Sequence, residues 1–157
     1  MTHQSINQPL PAKLFATIVE HTPLISIDLI VRNENGEVLL GERLNAPAKG
    51  YWFTPGGRIY KNETLAQAFE RITQAELGHS YLITDANFLG TFEHFYDDSF
   101  VDEQISTHYV VLAYSLSLPT NHNSFPTNDQ HNTYRWQSIE VLLVDPTVHT
   151  HVKWYFR

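Results

Sequence analysis

Apolar positions along this chain alternate between strand-like and helix-like spacing, and the changes of spacing divide it into elements. Leu14, Ile18 and Val19 predict a short helix ending near Thr22-Pro23. Leu24 to Val31 and Glu37 to Leu40 are β-rich segments about the turn Asn33-Glu34-Asn35-Gly36, the signature of a hairpin. Trp52-Phe53 predicts a short strand running into Pro55-Gly56-Gly57. Phe88 to Tyr96 and Thr107 to Leu116 read as strands separated by the polar loop Asp97 to Ser106. A loop rich in Asn, Ser and Pro spans Ser117 to Asn132, Tyr134-Arg135-Trp136 forms a last strand, and Ser138 opens a short helix running to Leu143. Residues 1 to 9 are polar and expected to fray. A central helix against mixed strands, with a second helix on the other face, predicts an α+β fold built as an α/β/α sandwich.

The segment between the glycine pair Gly56-Gly57 and Gly78 is the most specific part of the chain. With Leu65 at zero on a wheel of about 100° per residue, Leu65, Ala68, Phe69 and Ile72 share one stripe, and Glu76 falls inside it. Thr64 and Gln67 have the spacing of a capping box, and Leu77-Gly78 is a helix stop. Glu63 and Arg71 are too far apart to pair along a straight helix, so they meet only if the loop before Thr64 bends back. An inward carboxylate needs a metal, an arginine or a hydrogen-bond network opposite it; the alternative is a half-buried helix whose Glu76 snorkels to water from its last turn. The glycine pair allows close backbone approach to a ligand. Together these features suggest a site for a metal and a diphosphate.

Composition narrows the functional classes. The 157 residues fit one domain, and 42% apolar content is enough for a proper core. A formal net charge of −7 with no basic tract argues against a nucleic-acid partner. Cysteine is absent, which excludes disulfides and thiolate chemistry. With no signal-like N-terminus and no long apolar run, the expectation is a cytoplasmic protein with no membrane partner.

The helix segment resembles a Nudix box, whose pattern is Gly, five residues, Glu, seven residues, Arg-Glu, an apolar residue, any residue, Glu-Glu, any residue, Gly. Gly57, Glu63, Arg71, Glu76 and Gly78 match it. Ile72 and Ala75 stand where two of the pattern's glutamates belong, positions that bind metals and water in ordinary Nudix pyrophosphohydrolases. That double loss is the hallmark of the GDP-mannose mannosyl hydrolase branch. The blocks Thr22-Pro23-Leu24, Gly50-Tyr51-Trp52-Phe53, Pro55-Gly56-Gly57-Arg58, His94-Phe95-Tyr96-Asp97-Asp98, Thr107-His108-Tyr109-Val110-Val111 and Gln130-His131 are similar to that branch in order and spacing.

The resemblance implies hydrolysis of GDP-mannose, with GDP-glucose as a second substrate, to GDP and free sugar by inverting attack of water at the anomeric carbon. Cleavage at that carbon has an oxocarbenium-like transition state and a good leaving group, so it needs fewer metal-binding carboxylates than attack at phosphorus. By the same resemblance His131 is the general base, a role that an imidazole titrating near neutrality suits. Gly56, Glu76 and Gln130 are the oxygen ligands of Mg²⁺, or alternatively Mn²⁺. Arg43 and Arg58 clamp the diphosphate, Tyr109 hydrogen-bonds the diphosphate or its metal water, and His94 assists nearby. Asp28, a carboxylate interrupting an apolar strand, positions the substrate. Each has a plainer reading: a surface histidine, solvent-facing arginines, a strand-end hydrogen-bond acceptor. The acidic pair Asp97-Asp98 resembles a second carboxylate site, but adjacent residues on a strand point to opposite faces, which makes them a weak metal pair. The apolar Trp154-Tyr155-Phe156 is expected to dock on the domain or on a second subunit of the homodimer that the family forms. Two rivals remain open: a Nudix pyrophosphatase cutting at phosphorus, and a non-catalytic nucleotide-sugar binder.

Overall fold

A computed structural model describes residues 10–119, 124–126 and 131–157, with backbone alone at 131 and 132. The fraying expected of residues 1 to 9, the side chain of His131 and all of Gln130 therefore lie outside the described residues. The elements run α1 (Ala12–His21), β1 (Leu24–Arg32), β2 (Val38–Arg43), β3 (Trp52–Phe53), β4 (Gly56–Arg58), α2 (Leu65–Leu77), β5 (Asn87–Tyr96), β6 (Thr107–Ser117), β7 (His131–Gln137), α3 (Ile139–Val144) and α4 (Thr150–Lys153). A 3-10 turn, Trp154–Phe156, closes the chain.

β1 is the middle of a mixed sheet because it is apolar on both faces. It pairs in parallel with β6 from Leu24↔Tyr109 to Arg32↔Ser117, and β5 continues antiparallel beyond β6. On its other side β1 divides its hydrogen bonds. β4 takes the first half, at Ser26↔Arg58, Ile27↔Gly57 and Asp28↔Gly56, while β2 meets it at Arg32↔Val38. The predicted hairpin is thus confined to its turn, where the Asn33 side chain accepts from the backbone of Asn35 and Glu37. β2 turns away to pair with β3 and β7. That splay between β2 and β4 opens a cleft at the middle of β1.

Each face of the sheet carries its own core. Phe69, Ala68, Ile72 and Leu77 of α2 pack on Ile27, Leu29, Val31 and Leu39. On the opposite face Leu142, Val148 and Val152 cover Ile30, Leu40, Phe53 and Ala113. The result is the α+β sandwich expected, with α4 and the C-terminal turn added to the second layer. The 3.6-residue pattern did not show α4 because it has only four residues. Among the described residues no helix is long and apolar enough to cross a membrane.

Candidate functional site

α2 is set by local chemistry. Thr64 accepts from the Gln67 amide while the Gln67 side chain accepts from the Thr64 amide, and Gly78 ends the helix at a φ of 79°. The loop before it does bend back. Arg71 donates to both oxygens of Glu63, at 2.7 and 2.8 Å, and to the Arg58 carbonyl at 2.7 Å, with its guanidinium 3.8 Å above the Tyr60 ring. The Tyr60 amide donates to Glu63 as well. Hydrogen bonds to Arg71, outweighing partial burial, hold the Glu63 carboxyl below its usual range. This bidentate pair ties the helix to β4 and fixes the loop between them.

Glycine is required at the junction. A Cβ on Gly56 would lie 2.5 Å from the Ile27 carbonyl and 2.7 Å from Asp28 Oδ1; one on Gly57 would lie 3.0 Å from Ile72 Cγ1. β4 therefore lies close against both β1 and α2, with Ile72 packed on Gly57. Beside this junction is a cavity of about 550 Å³. Seven of the nine residues singled out in the sequence line it: Asp28, Arg43, Gly56, Arg58, Glu76, His94 and Tyr109. Of the other two, Gln130 is outside the described residues, and His131 is placed by its backbone, opposite Arg43 in the β2–β7 register past a bulge.

The polar groups divide into two ends. At one, Arg58 extends from β4 with its guanidinium 4.2 Å from the Phe15 ring centre and 5.6 Å from that of Tyr60. Arg43 leaves the end of β2, with its Nε held 2.8 Å from the Pro47 carbonyl of the following loop. Glu76, on the last turn of α2, is only 6% exposed and lines the cavity together with Ile72 and Ala75. The inward stripe of α2 thus ends in its carboxylate, as the wheel predicts, and snorkelling to open water does not describe it. Tyr109 lines the cavity half-buried, and desolvation raises its phenol, against the charges of Arg43 and Arg58.

At the other end Asp28 is 7% exposed. Burial is the largest influence on it and raises its carboxyl to about 6, against the opposing effects of a hydrogen bond from Tyr155, the charge of Arg43 and a hydrogen bond from Thr54. Tyr155 donates to Oδ2, and Thr54 Oγ1 is 3.4 Å from the same oxygen. His94 lines the deep wall but is only 2% exposed, its ring stacked 4.3 Å from His151 at 17°. Burial, then the neighbouring His151 and His149, push His94 down to about 3, so it is a neutral ring at pH 7. Its Nε2 is 3.3 Å from the Tyr155 hydroxyl. The sequence assigns no site role to Tyr96, Tyr155, His149 or His151, although Trp154-Tyr155-Phe156 is expected to dock and Tyr155 and Phe156 do pack on the second core. The spacing His149-x-His151 before that triplet is the available signal. Asp97 and Asp98 follow β5 in a bend, so strand alternation is not what separates them.

Hard-cation chemistry fits part of this wall. Glu76 supplies a carboxylate and Gly56 a carbonyl, and both residues line the cavity. Among the described residues no group of three or more acidic or histidine side chains is placed to hold a metal.

Comparison with known proteins agrees with the geometry. The chain is 48% identical over 109 residues, 69% of its length and 68% of the relative's, to the low-salt glycan biosynthesis protein Agl8 of Haloferax volcanii. Its fold matches a MutT protein from Methanosarcina mazei, with a TM-score of 0.68 and 21% identity over 87% of this chain and 92% of that one. It likewise matches the NUDIX domain of Shewanella oneidensis NrtR complexed with ADP ribose, with a TM-score of 0.63 and 18% identity over 95% and 97% of the two chains. Nudix hydrolases generally use divalent metals such as Mg²⁺ and bind substrates of the nucleotide-sugar type. The NUDIX domain model matches residues 22–157, and the chain belongs to that family of hydrolases.

Proposed function

We propose that this protein hydrolyses a GDP-hexose, GDP-mannose before GDP-glucose, to GDP and the free sugar by attack of water at the anomeric carbon with inversion. The observation that carries this reading is the cavity face of α2. Ile72 and Ala75 line it beside Glu76, so the wall is apolar at the two positions where the Nudix pattern has carboxylates. Attack at phosphorus by several metals lacks its ligands there. Similarity to a protein named for glycan biosynthesis supports a nucleotide-sugar substrate.

In this scheme the water oxygen bonds to the anomeric carbon as the bond from that carbon to the diphosphate oxygen breaks, and the electron pair leaves with GDP. His131 takes the water's proton. Arg43 and Arg58 present planar guanidinium groups to the phosphate oxygens, and Tyr109, its phenol kept protonated by burial, donates a further hydrogen bond. Asp28 accepts from a sugar hydroxyl. Glu76, the Gly56 carbonyl and Gln130 would hold Mg²⁺ or Mn²⁺ together with the diphosphate, and the ion would supply positive charge to offset the negative charge developing on the leaving nucleotide. The working unit is taken to be a homodimer.

One turnover of GDP-mannose in ¹⁸O-water tests the scheme. Label is expected in mannose, with GDP unlabelled. Label on phosphorus, with GMP and mannose 1-phosphate as products, would establish the pyrophosphatase instead; binding without any product would establish a nucleotide-sugar sensor.

A further inference from the structure

The end of the chain reaches the deep wall of the cavity, and the scheme above gives it no role. Tyr155 lies in the closing 3-10 turn, its ring edge-on to Phe92 at 4.8 Å and 87°. Its hydroxyl meets Asp28 Oδ2 on one side and His94 Nε2 on the other. A phenol has one proton to give. Burial and the adjacent Asp28 hold Tyr155 protonated well past neutrality, so the proton goes to the carboxylate and the phenol oxygen is left to accept. His94 must then carry its hydrogen on Nε2. The chain of bonds runs from His94 Nε2–H to Tyr155 O–H to Asp28 Oδ2. Behind it the stack of His94 on His151 is backed by Trp154, 4.5 Å from His151. Asp28 Oδ1 lies beside Gly56, and both residues line the cavity.

We propose that Tyr155 is a positioning residue for the reaction: its hydroxyl holds Oδ2 of Asp28, so that the other oxygen, Oδ1, is presented to the sugar. The proposal rests on Asp28 touching the hexose, which belongs to the function proposed for the cavity. An aspartate without this bond would lose its fixed rotamer. The groups around Asp28 are Arg43 from β2, Thr54, Tyr96 from β5 and Tyr109 from β6. His149 and His151 act on His94. Of these, Tyr155 and Thr54 donate to the carboxylate, and the Thr54 contact is the longer.

Tyr155→Phe removes the hydroxyl and keeps the ring against Phe92. It should lower kcat for GDP-mannose by about tenfold, the worth of one hydrogen bond to a charged group, while affinity for GDP changes less than about twofold, because the hydroxyl meets Asp28 and not the nucleotide. Thr54→Val, which removes the longer contact, should lower kcat less than Tyr155→Phe does, and in urea melts the double-variant cycle of Tyr155→Phe with Asp28→Ala should be non-additive. An unchanged kcat, an additive cycle, or GDP affinity falling in step with kcat/KM would overturn the proposal. Products other than GDP and mannose from the unmodified enzyme would overturn the reading of function while leaving the coupling in the urea melts intact, so the two failures are read apart.

Discussion

Replacing Asp28 by Asn should make the protein more stable and nearly inactive, and the gain in stability should depend on pH in a way that identifies its cause. Native Asp28 titrates at about 6 and the unfolded chain's aspartate at 3.8. Between these values the fold binds a proton that the unfolded chain releases, so this residue's penalty is complete above about pH 7, shrinks as pH falls through 6, and is gone below 3.8. At about 1.4 kcal/mol for each tenfold in proton affinity, holding the carboxylate ionised in the fold costs about 3 kcal/mol at neutral pH. Asparagine keeps an acceptor for Tyr155 and adds no charge. For a chain of this size, about 2 to 4 °C per kcal/mol converts the gain to roughly 6 to 12 °C in Tm. The difference between the two proteins is the quantity to follow, because the histidines act the opposite way. His94 and His151 are held to about 3 and about 4, below the ordinary 6.5, so the unfolded chain binds their protons first and both proteins lose stability as pH falls below 6.5. Urea melts of both proteins at pH 8, 6 and 4.5 measure the gap. A gap that is constant across that range, or a variant less stable at pH 8, would refute the assignment of Asp28 as a buried carboxylate ionised at a cost.

Three further outcomes follow. His131→Gln should lower kcat by about two to four orders of magnitude with little change in GDP-mannose affinity, read by single-turnover kinetics beside calorimetry; an unchanged rate removes it as base. Gly56→Ala puts a Cβ 2.5 Å from the Ile27 carbonyl, and should cost about 1 to 3 kcal/mol in urea melts while disturbing Asp28. Glu63→Gln breaks a bidentate pair whose acid is 6% exposed; it should cost about 1 to 3 kcal/mol and open the loop from Ile59 to Asn62 to faster amide exchange.

What could be read in the sequence was what is encoded locally. Thr64, Gln67 and Gly78 mark the ends of α2 by chemistry within a few residues, and Glu76 reveals its burial through its place in an apolar stripe. The glycine pair and Arg58 are adjacent in the chain as they are in the cavity. Asp28 was visible as a charge inside a strand that is otherwise apolar, though its neighbours were not. Tyr155 lies 127 positions away from it, in a turn with no period to detect, and reaches it only because α4 packs on the second face of the sheet. The hairpin forms as expected, with a short ladder, for a related reason. Asn33 to Gly36 specifies a turn, but which strand runs beside the first half of β1 is decided by Gly56 and Gly57, whose missing side chains let β4 come close.

The loss of acidic residues from α2 and the presence of Asp28 belong to one electrostatic arrangement. Glu76 and Asp28 already share one cavity with Arg43 and Arg58, and Asp28 titrates only just below neutrality. Another carboxylate in the same partly enclosed space disfavours ionisation of those present, unless metal ions neutralise the set. Ile72 avoids that repulsion and fills the space against Gly57. Ile72→Glu is therefore expected to drive the Asp28 midpoint above 7 in the absence of divalent metal, and to lower kcat/KM at neutral pH by more than tenfold. Millimolar Mg²⁺ should bring the midpoint back down as it binds the new pair of carboxylates. If Asp28 titrates unchanged in Ile72→Glu without metal, the two carboxylates do not share a field, and the apolar face of α2 reflects packing on Gly57 alone.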